Sequence, residues 1–253
     1  MTTKKRNDLL QYAIGALVLG IIAWQFIGYL LPDRPIEYTT TSFMKAITEH
    51  SGGTDNWNAL QKISFSKKFQ LLDSTGHIEI DRNELHAYDF SKDTQRIIQW
   101  KIEDTTFTLT QKNDVLFQSI NGKIDSTITQ QALNNKLNAA TFVLGLPYTL
   151  DTPSATLSYQ GMQPFEGTNA HELKATFKNS EDVWLLYYSE DTMHWLGYWV
   201  QTSDHYSLVV NDAMAVVEGF TLSRKRTSYR TNAQKEKLYL RATYSYDNYK
   251  ITP

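Results

Sequence analysis

From Ile63 onward the chain repeats with a period of two. Ile63, Phe65, Phe69 and Leu71 alternate with Ser64, Ser66, Lys68 and Gln70. Successive side chains of an extended strand point to opposite faces, so the pattern predicts a half-buried β-strand. Asp73-Ser74-Thr75-Gly76 supplies a turn, and further strands are expected at 77–90, 95–102, 105–110, 115–120, 155–159, 170–177, 183–189, 194–202, 206–217, 222–229 and 237–249. The connections Glu103-Asp104 and Lys112-Asn113-Asp114 are too short for a crossover, which makes sequence neighbours pair antiparallel. Eleven or twelve such strands cannot lie flat, because twisted sheets of about ten strands curl or close. A β-sandwich is the alternative, although its Greek-key crossings usually need longer connections.

Two segments depart from this period. Ser42 is a candidate N-cap for a helix from Phe43 to His50, with Phe43, Ala46 and Ile47 on its apolar face and Gly52-Gly53 ending it. In 129–144, Ala132, Leu133, Leu137, Ala140 and Leu144 recur at helical spacing before Gly145 and Pro147. The concave face of a curled sheet must be filled, and this central helix is the natural occupant. The expected fold is therefore mainly β, a large curled antiparallel sheet wrapped around one or two helices.

Residues 9–31 read LLQYAIGALVLGIIAWQFIGYLL, 23 positions without a charged side chain. A helix of that length rises about 1.5 Å per residue and crosses a hydrocarbon core of roughly 30 Å. Lys4, Lys5 and Arg6 precede it, while Asp33 and Arg34 after it cancel. The positive-inside bias then puts residues 1–8 in the cytoplasm, a membrane span at 9–31, a linker at 32–41 and one domain at 42–253 outside; with no cysteine in the chain, a bacterial cytoplasmic (inner) membrane and a periplasmic domain fit. A cleaved signal peptide is the competing reading. Its apolar core is shorter and ends in a small-x-small site, whereas this run ends in Gly28-Tyr29-Leu30-Leu31-Pro32.

The formal charge is −2, and residues 1–8 contribute +2, leaving −4 beyond the apolar run. Such a balance offers no footprint for nucleic acid. With no cysteine there is no disulfide framework, no thiolate metal site and no lipid-modified N-terminal cysteine. Packing alone must hold the fold, and 15 Tyr, 11 Phe and 6 Trp suit pleated, half-buried surfaces.

A helix that runs into His50-Ser51-Gly52-Gly53, followed by Trp57, opens the domain. Pro147-Tyr148-Thr149-Leu150-Asp151 follows the central helix, Glu218-Gly219-Phe220-Thr221-Leu222 precedes a basic strand, and Tyr244-Ser245-Tyr246-Asp247-Asn248-Tyr249-Lys250 closes the chain. In this order the chain resembles the LolA-like proteins of Gram-negative bacteria, in a branch with an HGG…W opening. The resemblance implies an unclosed β-barrel with helices as its lid, and an apolar interior of the kind lipoprotein carriers use to shield acyl chains. A carrier that shuttles must diffuse freely, so a tether at 9–31 fits an acceptor or holding site better. His50, Gly52, Gly53 and Trp57 are expected to act structurally.

No GxSxG, HExxH, GxxxxGK[ST] or GxGxxG motif occurs, so no catalytic residue, cofactor or metal is expected. His77, Glu79 and Asp81 share one strand face, read as solvated. The candidate cavity lining is Phe65, Phe69, Trp100, Phe107, Phe117, Leu133, Leu137, Trp184, Trp195 and Trp199. Arg224, Lys225, Arg226 and Arg230 form a basic cluster near an expected sheet edge, suited to solvation, a lipid headgroup or a protein partner. The expected function is binding of a lipid or lipidated protein in an apolar half-barrel. The alternative is an interaction module with a solid core that docks on an envelope partner.

Overall fold

The computed structural model describes residues 37–253 apart from 92, 93 and 179. The expected membrane helix at 9–31 lies outside the described residues, among which no helix is long and apolar enough to cross a membrane. Two short helices come first, α1 (Thr40–His50) and α2 (Thr54–Ala59). Six strands follow: β1 (Lys62–Leu72), β2 (Ile78–Asp89), β3 (Gln95–Ile102), β4 (Thr105–Lys112), β5 (Val115–Ile120) and β6 (Lys123–Ile124). The central helix α3 (Gln130–Leu144) leads through a 3-10 turn at Tyr148–Leu150 into β7 (Ala155–Phe165), β8 (Thr168–Phe177), β9 (Val183–Ser189), β10 (Trp195–Gln201), β11 (Tyr206–Val217), β12 (Phe220–Thr231) and β13 (Lys237–Thr252).

All thirteen strands form one antiparallel sheet in the order β6-β5-β4-β3-β2-β1-β13-β12-β11-β10-β9-β8-β7. The first and last strands pair along their length, from Lys62 opposite Thr252 to Leu71 opposite Ala242. That closure puts β12 in the interior of the sheet, between β11 and β13. The basic cluster at 224–230 is therefore not on an edge. Only pairing between the two ends of the chain creates this arrangement, and local patterning carries no signal of it.

Helix α1 begins earlier than the expected Ser42 cap. Thr39 is the N-cap, its hydroxyl accepting from the Ser42 backbone N–H, while the Ser42 hydroxyl accepts from the Thr39 N–H. This reciprocal box satisfies two free donors of the first turn. α3 is capped by the Thr129 hydroxyl, which accepts from Ala132 N–H. Its Leu133 and Leu137 enter one core cluster with Ile63, Phe65, Ile98, Trp100 and Leu109. Phe142 and Val143 pack on a second cluster with Phe43, Ile47, Leu173, Leu186 and Tyr188. One helix thus joins the two halves of the concave face.

A third cluster, Phe165, Ala170, Tyr187, Trp199 and Leu208, gathers on the other face of β8–β11. A register irregularity between Trp195 and Gly197 separates these faces. A bulge inserts one residue and changes which side chains share a face, so Trp195 and Tyr198 fall together and Trp199 opposite. Gly197 sits at φ +151°, where an added Cβ would lie 2.1 Å from the Val209 carbonyl oxygen. Only glycine fits this close approach of two backbones.

Candidate functional site

A cavity of about 410 Å³ lies between α3 and the concave face of the sheet. Phe65 of β1, Ile98 of β3, Trp184 of β9, Tyr198 of β10, Val209 of β11 and Tyr246 of β13 all border it, with Ala140 and Val143 of α3 above. Strands so far apart in the sheet meet one cavity only because the sheet curls around the helix. On the opposite side of α3, Trp57, Leu60, Phe90, Arg96, Asn138 and Thr141 line a more open groove.

The floor of the cavity is charged. Glu84, only 3% exposed, receives Arg82 on Oε1 at 2.7 Å and both Lys67 Nζ and His86 Nε2 on Oε2 at 3.0 Å. Burial alone would raise its pKa, but the His86 hydrogen bond and the Lys67 and Arg82 charges outweigh that and hold the carboxyl well below its usual range. Burial pushes the His86 pKa down despite Glu84, so the ring is neutral at pH 7. A carboxylate can only accept, which assigns the His86 proton to Nε2. Nδ1 then accepts the Tyr88 hydroxyl at 2.6 Å. Burial drives that hydroxyl's pKa far upward, which makes Tyr88 a donor rather than a nucleophile.

Two further cations face this cavity. Lys136 of α3 holds its Nζ 3.2 Å from the centroid of Trp100, and burial, reinforced by Arg82, lowers its pKa to about 8. Arg226 of β12 is 6% exposed, with its guanidinium 4.8 Å from the Tyr246 ring and 5.5 Å from Trp195. Among the described residues neither has a carboxylate within ion-pair distance, and Arg226 Nε is buried with no hydrogen-bond partner. Burial pushes the neighbouring Tyr198 hydroxyl up to about 12, with Arg226 opposing.

Of the ten expected lining residues, Phe65, Phe69 and Trp184 border the cavity. Trp100, stacked on Phe107 at 5.4 Å, packs with Phe107, Leu133 and Leu137 in the core beneath α3. Trp195 is buried in the second cluster, stacked on Tyr198. Trp199 and Phe117 are misplaced by the expectation. The bulge turns Trp199 to the third cluster, where its Nε1 donates to Thr231. On β5 the buried positions are Leu116 and Gln118, leaving half-buried Phe117 on the other face.

The basic cluster divides in the same way. Arg224 and Lys225 are exposed, with Arg224 3.8 Å from Asp247, and Arg230 donates to the Ser207 hydroxyl at 3.0 Å. Arg226 alone enters the cavity. His77, Glu79 and Asp81 lie on the outer, exposed face of the sheet, where Glu79 pairs with Arg241 and Asp81 accepts from Gln70.

The motif residues converge elsewhere. His50 ends α1, its Nε2 2.5 Å from His194 Nδ1, and burial plus that second ring lower its pKa. Gly52, at φ +126°, lies against Gly219 and Phe220, where a Cβ would meet Phe220 at 2.8 Å. Thr221 N–H donates to the Ser51 carbonyl. Gly53, at φ +91°, is the N-cap of α2, which presents Trp57 flat on Tyr148 at 4.7 Å and edge-on to Phe220 at 6.0 Å. Three separated segments are thereby locked into one junction beside the groove.

No protein-family model and no curated protein matches the sequence. Solved structures do match the fold. A DUF1329 family protein from Desulfovibrio piger aligns over 85% of this chain and 94% of its own, with a TM-score of 0.56 and 11% identity. A LolA superfamily protein from Nitrosomonas europaea aligns over 86% and 95%, with a TM-score of 0.54 and 9% identity. A domain described as an outer membrane lipoprotein-sorting protein, from Vibrio parahaemolyticus, aligns over 83% and 91%, with a TM-score of 0.51 and 8% identity. The fold is LolA-like: a large open antiparallel sheet with a helix in its concavity.

Proposed function

We propose that this chain is a membrane-tethered periplasmic domain, held by residues 9–31, that binds a lipid or the acyl chain of a lipidated protein between α3 and the sheet. The observation that carries this reading is the cavity of about 410 Å³ walled by Phe65, Ile98, Val143, Trp184 and Val209, within the roughly 300–1,000 Å³ of ordinary ligand sites. Each methylene buried there is worth about 0.8 kcal/mol, so eight of them supply about 6 kcal/mol without any polar contact. The Vibrio protein's description as lipoprotein-sorting agrees with such a ligand. A docking module with a solid core has no use for this volume.

The test is lipid analysis of the full-length chain extracted from bacterial membranes in mild detergent. Binding predicts an amphiphile retained in a fixed molar ratio through purification. A protein that carries no more lipid than an unrelated single-span membrane protein would refute it and favour the docking module.

A further inference from the structure

The cavity is not uniformly greasy, and its charge is lopsided. Four cationic side chains line it, Lys67, Arg82, Lys136 and Arg226, against the single carboxylate of Glu84. That carboxylate is fully used by Arg82, Lys67 and His86, and His86 is neutral. The site therefore carries three positive charges in excess inside a domain whose overall balance is acidic. Lys136 and Arg226 are left facing the cavity without an anion, and Arg226 keeps a buried nitrogen unpaired.

Burying a cation without a partner is costly. The neighbouring rings offset part of the cost through cation–π contacts, but a ring satisfies no N–H donor. An anion in the cavity would supply the missing acceptor to these cations, while Val143, Trp184 and Val209 give the same cavity apolar wall. Resting on the lipid-binding reading above, we propose that the ligand is an anionic amphiphile, whose phosphate or carboxylate group is held by Lys136 and Arg226 while its hydrocarbon fills the cavity. Charge-assisted bonds to such a group are about twice as strong as neutral ones. Specificity arises because a neutral lipid leaves the two cations unpaired.

The experiment titrates the full-length chain, held in a non-ionic amphipol, with octyl phosphate, octanoate, monooctanoylglycerol and inorganic phosphate. Octyl phosphate is expected to bind at least tenfold more tightly than monooctanoylglycerol, and octanoate separates a carboxylate preference from a phosphate one. Arg226→Met and Lys136→Met, two variants that keep apolar bulk, are each expected to weaken octyl phosphate about tenfold and to change monooctanoylglycerol less than twofold. Equal affinity for charged and neutral ligands would overturn the anionic end while leaving the lipid cavity standing. Inorganic phosphate binding as tightly as octyl phosphate would overturn the amphiphile in favour of a free anion. No binding by any of the four would remove the lipid-binding reading together with this one.

Discussion

Replacing Glu84 by glutamine tests whether the charged floor is held by one carboxylate. Glu84 is 3% exposed and receives three donors within 3.0 Å. A glutamine offers one acceptor oxygen in place of two and no charge, so it can still serve Arg82. His86 can turn over its tautomer to accept from the new amide, but Lys67 then faces no anion. Removing one partner of a buried pair costs roughly 3–5 kcal/mol, and the surviving Arg82 contact places Glu84→Gln at the lower end, about 3 kcal/mol. The sign with pH follows from the depressed carboxyl pKa. The wild-type advantage is fully present above the unfolded carboxyl value of about 4.3 and is lost as pH falls through the lower folded value. Urea unfolding of the full chain in detergent, followed by tryptophan fluorescence at pH 7 and pH 3, measures both. Adding Lys67→Met should recover most of the loss, because the unpaired charge leaves with its partner. A Glu84→Gln protein within 0.5 kcal/mol (about the size of an ordinary surface change) of wild type at pH 7, or a gap unchanged at pH 3, would refute the reasoning.

Lys136→Met should stabilise the ligand-free chain at pH 7 by about 1–2 kcal/mol, since it removes a half-buried ammonium that faces Arg82 and Lys67, with Glu84 the one countercharge. Its folded pKa is lowered, so the wild-type penalty is present below about 8 and relieved toward the unfolded value of about 10.4; thermal melts at pH 7 and pH 10 should show the variant's advantage shrinking. Anionic-ligand affinity should fall over the same rise, read by titration. Gly197→Ala should cost about 3 kcal/mol or more, because its Cβ meets the Val209 carbonyl; wild-type denaturation midpoints would contradict this. Trp57→Ala should cost about 2 kcal/mol by unstacking Tyr148 and Phe220, with little effect on octyl phosphate affinity, since Trp57 lines the groove and not the cavity.

The run of antiparallel strands and the central helix were legible because turns are short and the alternation is regular from Ile63 onward. The charged floor was not, and β2 shows why. Its exposed positions include Ile78 and Leu85, at 45% and 59%, while Glu84 and His86 are each 3% exposed. Apolar residues therefore fall on both faces of this strand and mark no single phase, while the acidic and histidine residues of the alternating run His77, Glu79 and Asp81 face outward. The usable signal was the spacing of Glu84, His86 and Tyr88, one face of a strand opposite Phe65. Trp199 was misassigned because a bulge shifts the alternation without any local mark beyond Gly197. Arg226 could be placed only once β13 returned to β1, a pairing that joins the ends of the domain.

The central claim is that α3 covers a space that holds a hydrocarbon chain, and filling that space is its most direct test. Ala140 borders the cavity from the helix side, where an Ala140→Trp indole would occupy the volume while leaving Lys136 and Arg226 in place. Native mass spectrometry of the full-length chain released from membranes should show an amphiphile adduct on wild type. The adduct should be absent from an Ala140→Trp protein that keeps the wild-type melting temperature. An equal adduct on both proteins would put the ligand somewhere else and contradict the account.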